Sequence, residues 1–133
     1  MNIMKFYSLF PTLLITGFCL INSSLALAKQ INWQPIPGTK GTDESGKIID
    51  FWYIGRNTMT RKDNIINFDV NAYRNYIRYS ANCRTAKMSR IRMGYIKNGQ
   101  IVDNQPFSEP FFTANQIQRK ALNYACAISK KKS

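Results

Sequence analysis

Two segments, Asn64 to Val70 and Lys87 to Ile96, alternate apolar and polar residues, and together with a hairpin signal that pattern points to an antiparallel sheet. In Asn64 to Val70, Ile66, Phe68 and Val70 face one way, and Asn67 and Asp69 the other. This is the period-two pattern of a half-buried strand. Lys87 to Ile96 repeats it, with Ile91, Met93 and Tyr95 on one side and Arg90 and Arg92 on the other. Asn98-Gly99 then offers two residues that accept positive φ, the signal for a tight hairpin, and Gln100 to Asp103 is the returning strand. Ala72 to Arg84 is open to two readings. Tyr73, Tyr76, Ile77 and Ser80 have helical spacing, whereas Tyr73, Ile77, Tyr79, Ala81 and Cys83 share one side of a strand. The Tyr, Ile and Cys content favours the strand.

The flanks complete an α+β chain. Lys29 to Gly46 is loop chemistry around Trp33, which is expected to anchor the core, and Lys47 to Ile54 reads as an aromatic and β-branched strand. Gly55 to Asp63 should turn, and Asn104 to Phe112, with Pro106 and Pro110, should connect. The last element is a helix. Thr113 is its expected N-cap, Gln116 completes a capping box, and Ala114, Ile117, Ala121, Tyr124, Ala125 and Ile128 form its apolar stripe. Cys126 points away from that stripe, so the helix should end or loosen there. The expected fold is a single antiparallel sheet of about five to six strands with one C-terminal helix packed on it. No internal repeat, low-complexity tract or second domain is visible.

The first 28 residues read as a cleaved signal peptide. Lys5 gives a positive start, Phe6 to Ile21 is almost unbroken apolar sequence, and Ala26-Leu27-Ala28 supplies small residues for cleavage. Pro11, Thr16 and Gly17 interrupt the segment, and no other stretch approaches the roughly 20 apolar residues of a membrane span. The mature chain is therefore expected to have no transmembrane span and to be periplasmic or secreted. Phe18 before Cys19 argues against lipid attachment there. Residues 29–133 remain as one small domain, with a basic tail over 129–133 that should be disordered. The domain keeps Cys83 and Cys126, separated by 43 residues. In an oxidising compartment such a pair is most simply one disulfide, the alternative being two buried thiols.

Charge and missing residues narrow the function. Lysine plus arginine number 19 against seven acids, with no histidine. Histidine-dependent nucleophile systems and most zinc sites are thereby removed. Neither standard glycine-rich phosphate loop is present. The seven acids (Asp43, Glu44, Asp50, Asp63, Asp69, Asp103 and Glu109) show no spacing that singles out a catalytic pair. Asp50 is unusual, a carboxylate inside an aromatic strand that needs water or a partner. No catalytic, metal or cofactor residues are assigned.

The positive charge favours an anionic polysaccharide or an acidic protein as partner, and export argues against a dedicated nucleic-acid role. If Ala72 to Arg84 and Lys87 to Ile96 are adjacent strands, Arg74, Arg78, Arg90 and Arg92 share a face with Tyr76 among them. Such a face can hold sulfate, phosphate or carboxylate groups through bidentate guanidinium contacts. A solvated basic surface is the bland alternative. Two further readings remain: an envelope structural or assembly protein that meets its partner through an apolar surface, and a histidine-free carboxylate hydrolase.

The C-terminal half carries a family resemblance. Tyr79-Ser80-Ala81-Asn82-Cys83-Arg84, Gly94-Tyr95, the Asn98-Gly99 hairpin, Pro110 and Ala121-Leu122-Asn123-Tyr124-Ala125-Cys126 resemble the bacterial surface-adhesin protein E type domain. Ile48-Ile49-Asp50 is similar to its early strand with an acidic residue. The resemblance spans roughly Lys47 to Cys126. It implies a C-terminal helix disulfide-linked to the sheet through Cys83 and Cys126, and a binding protein rather than an enzyme. The founding adhesin binds host matrix and serum proteins and is lipid-anchored. This chain departs from it in the anchor, because its signal segment ends in Ala26-Leu27-Ala28 and lacks a lipobox.

Overall fold

The computed structural model describes residues 30–42 and 44–130. The signal segment 1–28, Cys19 within it, and residues 131–133 of the basic tail lie outside the described residues. In chain order the strands are β1 (Trp33–Pro35), β2 (Gly41–Thr42), β3 (Ile48–Ile49), β4 (Tyr53–Gly55), β5 (Thr60–Lys62), β6 (Ile65–Ala72), β7 (Asn75–Asn82), β8 (Lys87–Lys97), β9 (Gln100–Pro106) and β10 (Phe112–Thr113). One helix, α1 (Gln116–Lys130), follows.

β6, β7 and β8 form an antiparallel meander at the centre of the sheet. Its edges are divided into shorter pieces than the sequence suggests. β4 and β5 each pair with part of β6, β9 and β10 each pair with part of β8, and β1 pairs with β4. β2 and β3 make a separate two-stranded ladder. Asp50 explains the break between β3 and β4. Its Oδ1 accepts the Phe51 N–H at 2.7 Å, which gives the backbone donor a local partner in place of a neighbouring strand.

The alternation in β6 and β7 defines the core face. Ile66, Phe68 and Val70 stand opposite Ala81, Tyr79 and Ile77, and the Phe68 and Tyr79 rings meet at 5.6 Å between centroids. α1 buries Ala121, Leu122, Ala125 and Ile128 against this face, with Ile36, Ile54 and Met88 in the same cluster. Each fully buried Leu, Ile or Phe there contributes about 1.5–3 kcal/mol. Trp33 is not part of this cluster. It lies on edge strand β1, where its indole N–H donates to the Gly99 carbonyl at 3.2 Å, so the tip of the β8–β9 hairpin reaches back to β1.

The helix differs from the sequence expectation at both ends. Thr113 belongs to β10, and its hydroxyl accepts from Lys87 Nζ at 2.9 Å. Asn115 is the N-cap instead: its Oδ1 accepts from the Gln118 N–H at 2.8 Å, while Gln118 Oε1 accepts from the Asn115 N–H at 3.0 Å. This is the reciprocal capping-box pattern two residues later than the Thr113 reading places it. At the far end α1 neither stops nor loosens at Cys126. The buried stripe runs through Leu122 rather than the exposed Ile117, and Cys126 sits one turn beyond Leu122. The sulfur therefore reaches Cys83 from a regular helix, and the Cys83–Cys126 disulfide spans Cα atoms 5.9 Å apart. Ser129 and Lys130, expected in the disordered tail, are helical, and Ser129 is buried. Arg61 on β5 secures this end by donating to the Cys126 carbonyl at 3.1 Å and to Ser129 Oγ at 2.9 Å. A cation beside the last helical carbonyls also suits the helix dipole.

Candidate functional site

The five residues expected on one basic face are distributed among three environments. A bulge is the main cause. Tyr79 pairs with Arg90 and Arg78 pairs with Arg92, so Ile91 is an extra residue on β8. The insertion reverses the relation between Arg90 and Arg92. Arg90 shares the core face with Tyr79, while Arg92 shares the opposite face with Arg78 and Tyr76.

Arg90 is committed to structure. Its backbone N–H and guanidinium donate three hydrogen bonds of 2.7–2.8 Å to the Glu109 carboxylate. The guanidinium also lies over the Phe107 and Phe112 rings at 5.4 and 5.7 Å. The hydrogen bond from Arg90 holds Glu109 below the usual carboxylate range. Glu109 thus ties the connector between β9 and β10 onto β8.

Tyr76 and Arg78 are held by Asp69, which is 3% exposed. The Tyr76 hydroxyl donates to Asp69 Oδ1 at 2.7 Å, and Arg78 Nη1 approaches the same oxygen at 2.9 Å. Burial first, and then the bond to Asp69, raises the Tyr76 phenol above its ordinary range. A buried carboxylate needs these partners, so the trio satisfies itself. Arg92, across from Arg78, bonds Asn104 Oδ1 at 2.6 Å and is partly accessible.

Arg74 lies elsewhere. Tyr73 and Arg74 are the two central residues of the β6–β7 turn, with Ala72 paired to Asn75. Both have positive φ, 55° and 73°. Asn98 and Gly99 adopt the same two-residue geometry at 54° and 76°, but with residue types suited to it. The Asn71 side chain steadies the unusual turn, its Oδ1 accepting the Arg74 N–H at 2.8 Å. Trp52 does the same for the ring, meeting Tyr73 edge-on with centroids 6.5 Å apart.

This turn forms one wall of a cleft of about 530 Å³. Lys47 and Arg74 are its cations, and Phe51, Tyr53 and Tyr73 its aromatic surfaces. A third cation, Lys40, sits over the Phe51 ring at 5.6 Å. The cleft has one carboxylate, Asp50. Besides the Phe51 N–H, Asp50 takes the Tyr53 hydroxyl at 2.9 Å on its second oxygen. That bond raises the Tyr53 phenol above its ordinary range. Cationic and aromatic groups in one concave site suit an anion attached to a ring or apolar body.

Only Arg74 and the oddity of Asp50 mark this site in the sequence. Nothing in the sequence brings Lys47, Phe51, Tyr53 and Tyr73 together, because Tyr73-Arg74 lacks the Asn, Asp or Gly that announces a tight turn. Among the described residues no group of histidine, cysteine, aspartate or glutamate could hold a metal ion. No described helix is long and apolar enough to cross a membrane. Compared with family models, curated proteins and solved structures, the chain matches none.

Proposed function

We propose that this protein is an exported, non-catalytic binding module of the surface-adhesin E type that takes an anionic ligand, a polysaccharide or an acidic protein. The observation that carries this reading is the placement of Arg74 and Lys47 with three aromatic rings in one cleft. Strong net positive charge supports it by drawing anionic partners to the surface. The disulfide between sheet and helix is consistent with an oxidising compartment. A single carboxylate in the cleft supports binding over two-carboxylate hydrolysis.

Retention on a heparin column tests this reading. The protein should be held, released by salt, and held markedly less after Lys47→Ala with Arg74→Ala. Arg92→Ala should weaken retention less, since Arg92 lies outside the cleft lining. Retention unchanged in the Lys47/Arg74 double variant overturns the assignment. Replacing Arg78 or Arg90 would not serve, because each neutralises an acid that holds the fold.

One observation favours a second reading, an envelope assembly protein with an apolar contact. Tyr95 and Val102 are cross-strand partners on β8 and β9, 58% and 37% exposed. Crosslinking in intact cells separates the two. A single protein partner joined near Tyr95 supports assembly, and capture of polysaccharide supports the anionic-ligand reading.

A further inference from the structure

We infer that the cleft beside β4 and the β6–β7 turn is a subsite for an acidic sugar ring, one that carries a carboxylate or sulfate together with free hydroxyls. The inference rests on the anionic-ligand reading and narrows it from polyanions in general to acidic saccharide.

The lining is mixed in a way that a simple polyanion does not need. Lys47 and Arg74 favour a negative group, yet Asp50 stands in the same cleft and repels one. A carboxylate among cations is useful when the ligand also brings hydroxyl donors. The Phe51 N–H and the Tyr53 hydroxyl occupy about half of the roughly four lone-pair positions of Asp50. The remaining lone pairs can accept ligand hydroxyls. An acidic sugar ring offers several hydroxyl donors beside its one anionic group, whereas a polyglutamate chain offers one backbone N–H for each carboxylate that Asp50 repels. The three rings supply the other half of the chemistry, since the apolar faces of a sugar ring pack against aromatic surfaces. The volume, about 530 Å³, lies in the range of small-ligand clefts.

The turn adds a separate observation. Tyr73 and Arg74 occupy left-handed backbone conformations that non-glycine residues adopt only at a cost. The chain uses the favourable Asn-Gly pair for the same turn between β8 and β9. At the β6–β7 turn it places an aromatic ring, 38% exposed, and a guanidinium on the cleft wall instead. Backbone strain of this kind concentrates where side chains serve a ligand.

Calorimetric titration of the purified protein tests the inference, with trigalacturonate as probe and maltotriose and poly-L-glutamate as comparisons. Trigalacturonate should bind at least tenfold more tightly than maltotriose. Arg74→Ala should weaken it about tenfold, and Asp50→Asn severalfold, with the thermal midpoint of each variant measured alongside. Asp50→Asn should leave poly-L-glutamate binding unchanged or improved, because it removes a repelling charge. Tyr53→Phe, which releases a lone pair of Asp50 and keeps the ring, should bind trigalacturonate as well as the parent. A loss equal to that of Asp50→Asn would make Asp50 a support for Tyr53 and overturn its role as ligand acceptor. Binding of poly-L-glutamate without trigalacturonate overturns the saccharide inference and leaves the anionic-ligand reading intact. Binding of neither overturns both. Trigalacturonate binding that is unchanged in Arg74→Ala and Asp50→Asn places the ligand outside this cleft.

Discussion

Replacing Arg74 with glycine should make the protein more stable and a poorer binder. The left-handed conformation costs a non-glycine residue about 1–2 kcal/mol. Arg74 sits in it at φ 73°, on an exposed turn. Glycine removes that cost but adds roughly 0.5–1 kcal/mol of unfolded-state entropy. The backbone N–H that bonds Asn71 Oδ1 is kept in the variant. The net gain is therefore about 0.5–1 kcal/mol. For a domain of this size, that raises the thermal midpoint by roughly 2–8 °C. Loss of the guanidinium should at the same time weaken trigalacturonate binding about tenfold, close to 1.4 kcal/mol. Differential scanning calorimetry and titration on the same samples read both effects. A lowered midpoint would show that Arg74 holds the fold, against the strain reading. Undiminished affinity would show that the strained residue does not serve the ligand.

Other perturbations have signs fixed by the structure. Replacing Cys83 and Cys126 by serine opens a crosslink spanning 43 residues. Urea unfolding should show a loss of about 4 kcal/mol on the chain-entropy model. Glu109→Gln should cost about 1 kcal/mol at neutral pH, discounted for the partial exposure of the pair. Because Arg90 lowers the Glu109 pKa, that contribution is present above the unfolded value near 4.3 and disappears as the pH falls through the folded one. The gap between the two proteins should therefore close in acid. Tyr76→Phe leaves Asp69 one donor fewer and should cost about 1–2 kcal/mol at pH 7. The raised Tyr76 pKa stabilises the fold fully below the unfolded value near 10. The parent's advantage should shrink as the pH climbs above 10, which guanidinium unfolding at several alkaline pH values will read.

Periodicity carried most of the fold. The alternation of Ile66, Phe68 and Val70, the Asn98-Gly99 hairpin and a capped C-terminal helix are all present in the structure. A cysteine pair assigned by compartment and count forms the expected link. What failed were features that periodicity cannot carry. One unpaired residue, Ile91, moves Arg90 to the other side of the sheet and takes it off the expected face, on which Tyr76, Arg78 and Arg92 stay together, because a one-residue shift exchanges faces. Thr113 does not cap the helix because it is paired with Lys87 in β10, and the helix starts only at Gln116 with Asn115 as its cap. The cleft was hidden because its residues come from segments far apart in sequence, and because Tyr73-Arg74 forms a turn without the residues that usually mark one. Asp50 was the legible trace. A carboxylate inside an aromatic stretch asked for partners, and the structure supplies the Phe51 N–H and the Tyr53 hydroxyl.

Amide chemical-shift mapping with trigalacturonate tests the central claim, that the anionic ligand sits in the cleft. Saturable shifts are expected at Lys47, Asp50, Phe51, Tyr73 and Arg74, sharing one dissociation constant, with Arg78 and Arg92 little moved. Shifts that centre on Arg78 and Arg92, or that never saturate, would contradict it.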